Sequence, residues 1–413
     1  MAHVPPEVIT DAAAEGGGIL GRHMLVEQAI NTDSPLVGGN RLELLQDGPE
    51  TYAAMKSAIE QATDHINLQT YIFEDDDVGR EFAALLLERQ AAGVQVNLIY
   101  DSFGTIETPT EFFDQLRQGG IELVEFNPVN PLSPKSRSLR FNHRGHRKLL
   151  VVDGHTAFVG GINISEVYSS GSFMSRTRKP SARPAGWRDT HLRIDGPVVA
   201  EFQRLFIETW RAQKGRPLAQ RDYFPEIPTY GDETVRAIGS TPDDDLSVIY
   251  LTLLAAVQHA EHSIYLTVAY FAPDEQFLDA LVAAAARGVD VQLIMPSTSD
   301  VWPIFHVGRS YYEPLLAGGV RIFERRGSVM HAKTAVIDGV WSTVGSSNID
   351  WRSFLYNDEL NAVILGRDFA AQMETMFRAD LAHSDEVELA QWRDRPLPVR
   401  LTEWSARLIE RGL

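Results

Sequence analysis

The chain has no cysteine, no long apolar run and no excess of basic residues. Without cysteine, disulfide bonds, thiolate metal sites and cysteine redox chemistry are excluded. No run approaches the roughly 20 apolar residues that span a bilayer, and residues 1–24 lack a basic region followed by an apolar one, so neither a signal peptide nor a membrane anchor is expected. The net charge of -18 disfavours non-specific binding to nucleic acid or anionic membranes, because both are negatively charged.

One segment reverses this charge. Residues 132–191 hold eleven Lys and Arg residues against three Asp and Glu residues. A run of this kind is often only a solvated basic loop. Because it flanks a motif described below, we interpret it as a region that attracts phosphate.

The sequence contains an internal duplication. Three segments of the first half return about 195 to 199 residues later, each as a helix or turn followed by a strand: "AIEQATDHINLQTYIF" (58–73) as "AVQHAEHSIYLTVAYF" (256–271), "GVQVNLIYDS" (93–102) as "GVDVQLIMPS" (288–297), and "GGIELVEF" (119–126) as "GGVRIFER" (318–325). Strands that alternate with helices predict α/β domains with mixed or parallel sheets.

This repeat gives the predicted domain organisation. The parts are a weakly structured leader (1–40), a first α/β domain (41–211), a linker (212–240), a second α/β domain (241–383) and a helical tail (384–413). The tail sequence "LPVRLTEWSARLIERGL" is amphipathic, and docking of its helix on the body is favoured over membrane contact.

Each half contains one copy of the same polar motif at identical spacing. The copies are His146, Lys148, Asp153 and Asn163, and His331, Lys333, Asp338 and Asn348. On a strand, the histidine and the lysine two residues later share a face. A lone histidine on an apolar strand is more often a satisfied core residue, but two copies at equal spacing favour chemistry.

Two imidazoles and two ammonium groups from related halves would form a positive pocket suited to a phosphodiester. One neutral imidazole attacks phosphorus while the protonated other supplies a proton to the leaving alcohol, and the lysines and asparagines bind the free oxygens. A metal site is the competing interpretation, but paired lysines would repel a cation, so no metal or cofactor is expected. Asp153 and Asp338 each precede a glycine and are assigned to turns.

These residues resemble the phospholipase D superfamily, whose signature is H-x-K-x4-D followed by G-[SG]-x-N. Both copies satisfy it, with the second segment formed by Gly160, Gly161 and Asn163, and by Gly345, Ser346 and Asn348. The resemblance implies a duplicated phospholipase D-like fold, in which two pseudo-symmetric α/β domains with mixed sheets pack face to face.

Within that superfamily the chain is similar to bacterial cardiolipin synthases, through stretches such as "YIFEDDDVG", "FNHRGHRKLLVVDG", "WRDTHLRIDGPVV" and "FLYNDELNAVI". The resemblance implies transfer of a phosphatidyl group between phosphatidylglycerol molecules through a phosphohistidine. It suggests His146 as nucleophile and His331 as general acid and base, with Asp189 and Glu359 orienting the imidazoles. Hydrolysis to phosphatidic acid remains an alternative, and a nuclease or an inactive scaffold is disfavoured.

The resemblance is to a short form without N-terminal membrane helices, which implies a peripheral enzyme at the inner face of the bacterial cell membrane, with a phospholipid as substrate and no nucleic-acid partner. We expect segments 132–147 and 171–186 to face the bilayer and Arg137, Arg140, Arg144 and Arg147 to attract the membrane or phosphate. A duplicated chain can build its site alone, so a monomer suffices.

Overall fold

The computed structural model describes residues 18–31, 33–129, 142–172, 186–244 and 247–408. Elements of the first half, in chain order, are α1 (Gly18–Ile30), β1 (Val37–Gln46), α2 (Asp47–Glu60), β2 (His65–Thr70), α3 (Asp77–Ala91), β3 (Gln95–Asp101), α4 (Thr110–Gln118), β4 (Glu122–Phe126), β5 (Arg144–Gly145), β6 (Leu149–Val152), β7 (Thr156–Gly160), β8 (Thr190–Asp195) and α5 (Val199–Ala212). A short 3-10 helix spans Glu166–Tyr168.

The second half repeats this plan and adds elements at its end. They are β9 (Glu233–Ser240), α6 (Val248–His259), β10 (Ser263–Val268), β11 (Phe271–Ala272), α7 (Glu275–Ala286), β12 (Asp290–Pro296), α8 (Trp302–Ser310), α9 (Tyr312–Ala317), β13 (Arg321–Arg325), β14 (Lys333–Ile337), β15 (Trp341–Gly345), β16 (Ile349–Asp350), α10 (Trp351–Leu355), β17 (Asn357–Leu365), α11 (Arg367–Leu381), β18 (Ser384–Glu386), α12 (Leu389–Arg393) and α13 (Leu397–Arg407).

Strand order shows the duplication directly. The first half runs β4-β3-β2-β6-β7-β8-β1, and the second runs β13-β12-β10-β14-β15-β17-β9 in the matching order, with β18 added outside β13. In each half the three strands joined through helices are parallel, and the hairpin strands are antiparallel. This is the arrangement that crossover helices and short turns produce. The fold is therefore the predicted pair of α/β units with mixed sheets.

The halves meet in two ways. The edge strands β1 and β9 pair antiparallel, which joins both sheets into one path. Side chains of β7 and β8 also share a hydrophobic cluster with those of β15 and β17, so the sheets pack face to face. Alternation along β6 explains how one strand serves two cores: Leu149 and Val151 enter this shared cluster, whereas Leu150 and Val152 enter a cluster of the first half alone.

Three segments of the predicted domain organisation differ from the structure. The predicted leader contains helix α1 in its described part, and this helix packs on the second half. The predicted linker 212–240 ends in β9, because residues 233–240 pair with β17 and β1. The tail, predicted as one helix, holds a strand and two helices. The strand, β18, pairs with β13 and forms the edge of the sheet. Among the described residues, no helix combines the length and apolarity needed to cross a bilayer.

Candidate active site

The two motif histidines line the same cavity. Its volume is about 410 Å³, and each half contributes side chains to its wall. His146 lies just before β6 and His331 just before β14, so both precede rather than lie within the predicted strands. The lining residues are Tyr71, Ile72, Phe103, Arg144, His146, Asn163, Trp187, Tyr270, Ala272, Asp300, Val301, Ile304, His331, Asn348, Asp350, Trp351, Arg352 and Asn357.

Each imidazole is hydrogen bonded to a carboxylate of the opposite half. Nδ1 of His146 lies 2.9 Å from Oε1 of Glu359, and Nδ1 of His331 lies 2.7 Å from Oδ2 of Asp189. When each Nδ1 carries a proton, Nε2 is unprotonated, and its lone pair faces the cavity. The carboxylates therefore fix the tautomer and orientation of both rings.

Backbone pairing between the halves sets these contacts. The amide of His146 donates to the carbonyl of Asp358 at 3.0 Å, one residue before Glu359. The amide of His331 donates to the carbonyl of Arg188 at 2.8 Å, one residue before Asp189. The same short inter-half pairing occurs on both sides of the cavity. Each motif is thus complete only when the two halves are docked.

The small residues after each motif make room for these carboxylates. A Cβ atom at Gly161 would lie 2.2 Å from Oδ1 of Asp189, so no side chain fits there. At the corresponding position Ser346 donates through Oγ to Oε2 of Glu359 at 2.5 Å. Gly160 and Gly345 are restricted as well, because a Cβ atom would meet Thr190 and His191 at the first and Asn361 at the second. Gly161 and Ser346 thus support the orienting carboxylates, and Gly160 and Gly345 allow close packing against the paired strands.

Asp153 and Asp338 lie outside the cavity wall and organise turns. Both adopt positive φ, at 50° and 55°. Oxygens of Asp153 accept the amides of residues 63–65, and those of Asp338 accept the amides of residues 261–263. His23 adds a further contact to Asp338 through Nε2 at 3.0 Å. Each aspartate therefore anchors the end of the strand inside its motif, β6 or β14, to the start of the paired strand, β2 or β10.

The lysines are buried beside the histidines. Nζ of Lys148 donates to the carbonyl of His146 at 2.7 Å, and Lys333 makes the same bond to His331. Burial lowers the pKa of Lys148 to about 7 and that of Lys333 to about 8. An anionic phosphate in the cavity would raise both pKa values again, because it favours the charged form.

Both histidines have lowered pKa values, which favours neutral imidazoles at pH 7. Burial lowers the pKa of His146 to about 4 and lowers that of His331 well below its usual value. Burial alone would raise the pKa of Glu359, but the adjacent His146 and Lys148 outweigh it and lower the pKa overall. Burial raises the pKa of Asp189 to about 6. At pH 7 a neutral His146 therefore faces an ionised Glu359.

The asparagines of the signature also line the cavity. Asn163 accepts the amide of Ile72 at 3.2 Å and donates to the hydroxyl of Tyr168 at 3.3 Å. In the part of the chain described, Oδ1 of the buried Asn348 has no hydrogen-bond partner. The side-chain amides are therefore placed to contact a ligand between the two imidazoles.

Of the four arginines predicted to attract membrane or phosphate, the structure describes two. Arg137 and Arg140 lie outside the described residues. Arg144 is buried in the cavity wall, with its guanidinium 3.7 Å from Asp101. Arg147 is buried as well and donates to the carbonyls of Glu359 and Ser240 and to the hydroxyl of Thr209. A membrane role for Arg147 is therefore wrong, because its guanidinium is buried and hydrogen bonded within the protein.

Sequence reasoning missed the aromatic wall. Tyr71 packs edge-on against His146 with ring centroids 5.1 Å apart, and Tyr270 does the same to His331 at 5.9 Å. At the repeat offset of 198 residues Tyr71 aligns with Ala269, so a one-residue shift hides this equivalence. Trp187 lies 5.1 Å from the ring of His331 and follows an undescribed segment.

A buried ionic network lies behind His331 and joins the halves. Arg188 of the first half and Arg325 of the second both donate to Asp380, with Nη2 of Arg188 2.8 Å from Oδ2 and Nε of Arg325 3.0 Å from Oδ1. Asp47 accepts from the amide of Asp189 at 3.2 Å. All these charged groups are buried. No spacing pattern in the sequence singles them out.

No group of three or more His, Asp or Glu side chains in the described ranges is arranged as a metal site. The polar groups that line the cavity include two imidazoles, the guanidinium groups of Arg144 and Arg352, side-chain amides and the carboxylates of Asp300 and Asp350. The ammonium groups of Lys148 and Lys333 are buried beside the histidines. Apart from the carboxylates, these groups can donate hydrogen bonds to an anion. The arrangement is suited to nucleophilic and acid–base chemistry on a phosphodiester.

Comparison with known proteins agrees with this interpretation. Residues 55–171 and again 253–381 match the family described as "Cardiolipin synthase, PLD-like domain". The chain is 34% identical over 379 residues to a cardiolipin synthase of Alkalihalophilus pseudofirmus, covering 91% of this chain and 73% of that protein. It is 32% identical to cardiolipin synthase 2 of Bacillus cereus, covering 88% and 69%. The crystal structure of phosphatidylserine synthase from Haemophilus influenzae shares the fold, with a TM-score of 0.70, 14% identity, and coverage of 95% of this chain and all of that one.

Proposed function

This chain belongs to the cardiolipin synthase family of phospholipase D-like enzymes, and we propose that it transfers a phosphatidyl group from one phosphatidylglycerol molecule to a second, releasing glycerol. One observation carries the proposal. Two histidines, each held by a carboxylate of the opposite half, line one cavity of about 410 Å³. A cavity of this size accommodates a headgroup and its phosphate.

In the first step Nε2 of His146 attacks phosphorus. An N–P bond forms, the bond from phosphorus to the glycerol oxygen breaks, and His331 gives a proton to that oxygen. Burial lowers the pKa of His331, so the ring gains its proton when the anionic phosphodiester binds and raises that pKa. The ionised Glu359 supports the choice of His146 as nucleophile, because it keeps the proton on Nδ1.

In the second step the roles reverse. The neutral His331 accepts a proton from the hydroxyl of the acceptor, the acceptor oxygen bonds to phosphorus, and the N–P bond breaks. Lys148, Lys333 and the two signature asparagines hold the non-bridging oxygens in both steps. The phospholipid reaches this site from a membrane to which the protein is peripherally attached, and a single chain supplies every residue of the mechanism.

The test is to incubate the purified protein with phosphatidylglycerol vesicles and quantify the products. The proposal predicts cardiolipin and glycerol in equal amounts. Phosphatidic acid without cardiolipin would show that water, not an alcohol, takes the phosphatidyl group, and would replace the proposal with hydrolysis. A His146→Ala variant that remains folded is expected to make neither product.

A further inference from the structure

Helix α13 has an apolar stripe that faces solvent. Leu397, Leu401, Trp404 and Leu408 follow the spacing i, i+4, i+7 and i+11 and therefore lie on one side of a helix. Each is between 62% and 72% exposed. The side that packs on the body instead carries Glu403 and Ala406, which are buried. This inverts the usual orientation of a surface helix and the orientation that the tail sequence predicts.

Glu403 explains why the helix sits this way round. Its carboxylate lies 2.9 Å from Nη2 of Arg395 and 3.3 Å from Nε of Arg309 on α8. Arg407 packs over the ring of Tyr311, with its guanidinium carbon 4.5 Å from the ring centroid. Ionic and cation–π contacts thus fix α13 to the body and leave the apolar stripe available.

A second group of exposed apolar side chains belongs to the segments that line the cavity. We call Phe103, Ile106, Val301, Trp302 and Leu355 the apolar rim; they are between 39% and 64% exposed. Phe103 and Val301 also line the cavity, and Leu355 ends the helix whose Trp351 and Arg352 line it. Exposed apolar surface is therefore continuous with the cavity wall.

Helix α8 connects the two groups. It begins at Trp302 of the apolar rim, and Arg309 near its other end contacts Glu403 of α13. A helix of nine residues is about 13 Å long. Helix α13 therefore lies within about one short helix length of the apolar rim.

Charge around α13 also differs from that of the whole chain. Residues 389–408 hold four arginines against one Asp and one Glu, and Glu313 pairs with Arg393 and Arg400, so the local net charge is +1 in a protein whose net charge is -18. Arginines beside an exposed Leu and Trp stripe are typical of helices that lie in the interface of an anionic bilayer.

We propose that the apolar stripe of α13 and the apolar rim form one surface that inserts into an anionic phospholipid bilayer and places the cavity mouth at the lipid headgroups. This inference rests on the proposed function, because it supplies the route by which a lipid enters. It also assigns membrane contact to different residues from the basic segments expected from the sequence.

The test compares three variants of the full chain. Leu401→Glu disrupts the stripe and Trp302→Glu disrupts the apolar rim, whereas Thr402→Glu adds the same charge about 100° around the helix from Leu401. Each protein is sedimented with vesicles of phosphatidylglycerol and phosphatidylcholine. We expect the first two variants to bind roughly tenfold more weakly or worse, because a charge must enter the interface. The Thr402→Glu control should bind as the unmodified protein does.

A soluble, short-chain phosphatidylglycerol separates docking from chemistry. Leu401→Glu and Thr402→Glu should process it at the unmodified rate, and Trp302→Glu should keep the unmodified unfolding temperature, so that all three variants are shown to be folded. Loss of product with this substrate in the unmodified protein would refute the proposed function and leave the vesicle-binding result to stand alone. Unchanged vesicle binding by Leu401→Glu and Trp302→Glu overturns the docking surface. Light scattering that shows a lipid-free dimer, converted to a monomer by Leu401→Glu with vesicle binding intact, overturns it in favour of self-association.

Discussion

At the scale of single residues, the site depends on two crossed pairs. His146 and Glu359 belong to opposite halves, as do His331 and Asp189, and each carboxylate is fully buried against its imidazole. Since burial favours the neutral imidazole, the carboxylate is needed to hold one tautomer and to stabilise the ring when it takes up a proton. The pairs therefore control both proton position and ring orientation.

We predict that Glu359→Gln lowers kcat for cardiolipin formation by about a hundredfold or more, because an amide can bind Nδ1 in the wrong tautomer and cannot stabilise the imidazolium. Steady-state kinetics with phosphatidylglycerol measure this. Glu386→Gln is the matched control, since its carboxylate forms only an exposed pair with Arg321. A kcat within twofold of the unmodified value would remove Glu359 from the mechanism.

The lysines predict a pH dependence with a definite sign. Their pKa values in the free protein, about 7 for Lys148 and about 8 for Lys333, lie below the usual value, so the ammonium form is lost as pH rises through this range. Phosphate binding needs that charge. We therefore expect kcat/KM to fall above about pH 7 to 8 while kcat falls only at higher pH, because bound phosphate restores the lysine pKa. A flat kcat/KM profile from pH 7 to 9 contradicts this.

The residues that repeat at equal spacing could be predicted from the sequence, and the structure places His146 and His331 in one cavity. Asp189 and Glu359 were nominated only through a resemblance, because hydrogen bonds between residues more than 140 positions apart leave no local pattern. Tyr71 and Tyr270 were not predicted as site residues, because a one-residue shift in the repeat conceals their equivalence.

At the scale of elements, helix α1 shows that a helix that buries polar side chains is hard to recognise from its sequence. Its buried residues include His23 and Glu27, and Trp341 of β15 donates to Oε1 of Glu27 at 2.8 Å. Arg236 of β9 donates to the carbonyl of Glu27 at 3.0 Å. A helix that docks through charged and polar groups lacks a clear apolar stripe, and the Ala and Gly content of residues 1–40 instead predicted a weakly structured leader.

We predict that Glu27 makes stability fall as pH rises. Burial raises its pKa to about 7 from 4.5, so between these values the folded state binds more protons than the unfolded state. The unfolding free energy contributed by this group therefore decreases by about 3 kcal/mol from pH 4.5 to pH 7 and above. Urea unfolding of Glu27→Gln and of the unmodified protein at pH 5 and pH 8 measures the effect.

The variant cannot titrate at position 27, so its stability relative to the unmodified protein should improve between pH 5 and pH 8. Any pH-independent change in unfolding free energy that the substitution causes cancels in this comparison. An equal difference in stability at both pH values would show that Glu27 does not change its protonation on folding.

At the scale of the whole molecule, a buried ionic network holds the halves in register behind the site. Asp380 accepts from Arg188 of the first half and from Arg325 of the second, and all three side chains are buried. The carbonyl of Arg188 also accepts the amide of His331. Docking of the halves and placement of His331 therefore share the same residues.

Loss of Asp380 should be costly. Asp380→Ala leaves two buried guanidinium groups without their shared carboxylate, and we predict a loss of roughly 3–5 kcal/mol of stability. Asp385→Ala is the matched control, because its pair with Arg326 is exposed and contributes little. Thermal and urea unfolding compare the two. Equal stability of both variants would mean that the network does not hold the halves together.

The duplicated α/β architecture was predictable, because repeated strand and helix patterns specify it regardless of detail. The strand order of the two halves indeed matches strand for strand. The pairing of β1 with β9 was not predictable, since β9 lay in the expected linker and its partner is almost 200 residues away. Long-range edge pairing depends on how the two sheets pack, which no local pattern encodes.

The central claim is that His146 and His331 act on one phosphorus atom from opposite sides. The most direct measurement uses two substrates labelled with phosphorus-32. One is phosphatidylglycerol, and the other is a phosphatidyl ester whose leaving group is an activated phenol. Rapid acid-free quenching and mass spectrometry then locate any label on the protein. In His331→Ala the activated ester needs no general acid, so the account predicts label on His146 that accumulates without turnover. Label on another residue, or labelling of His146→Ala at the same rate, would contradict it.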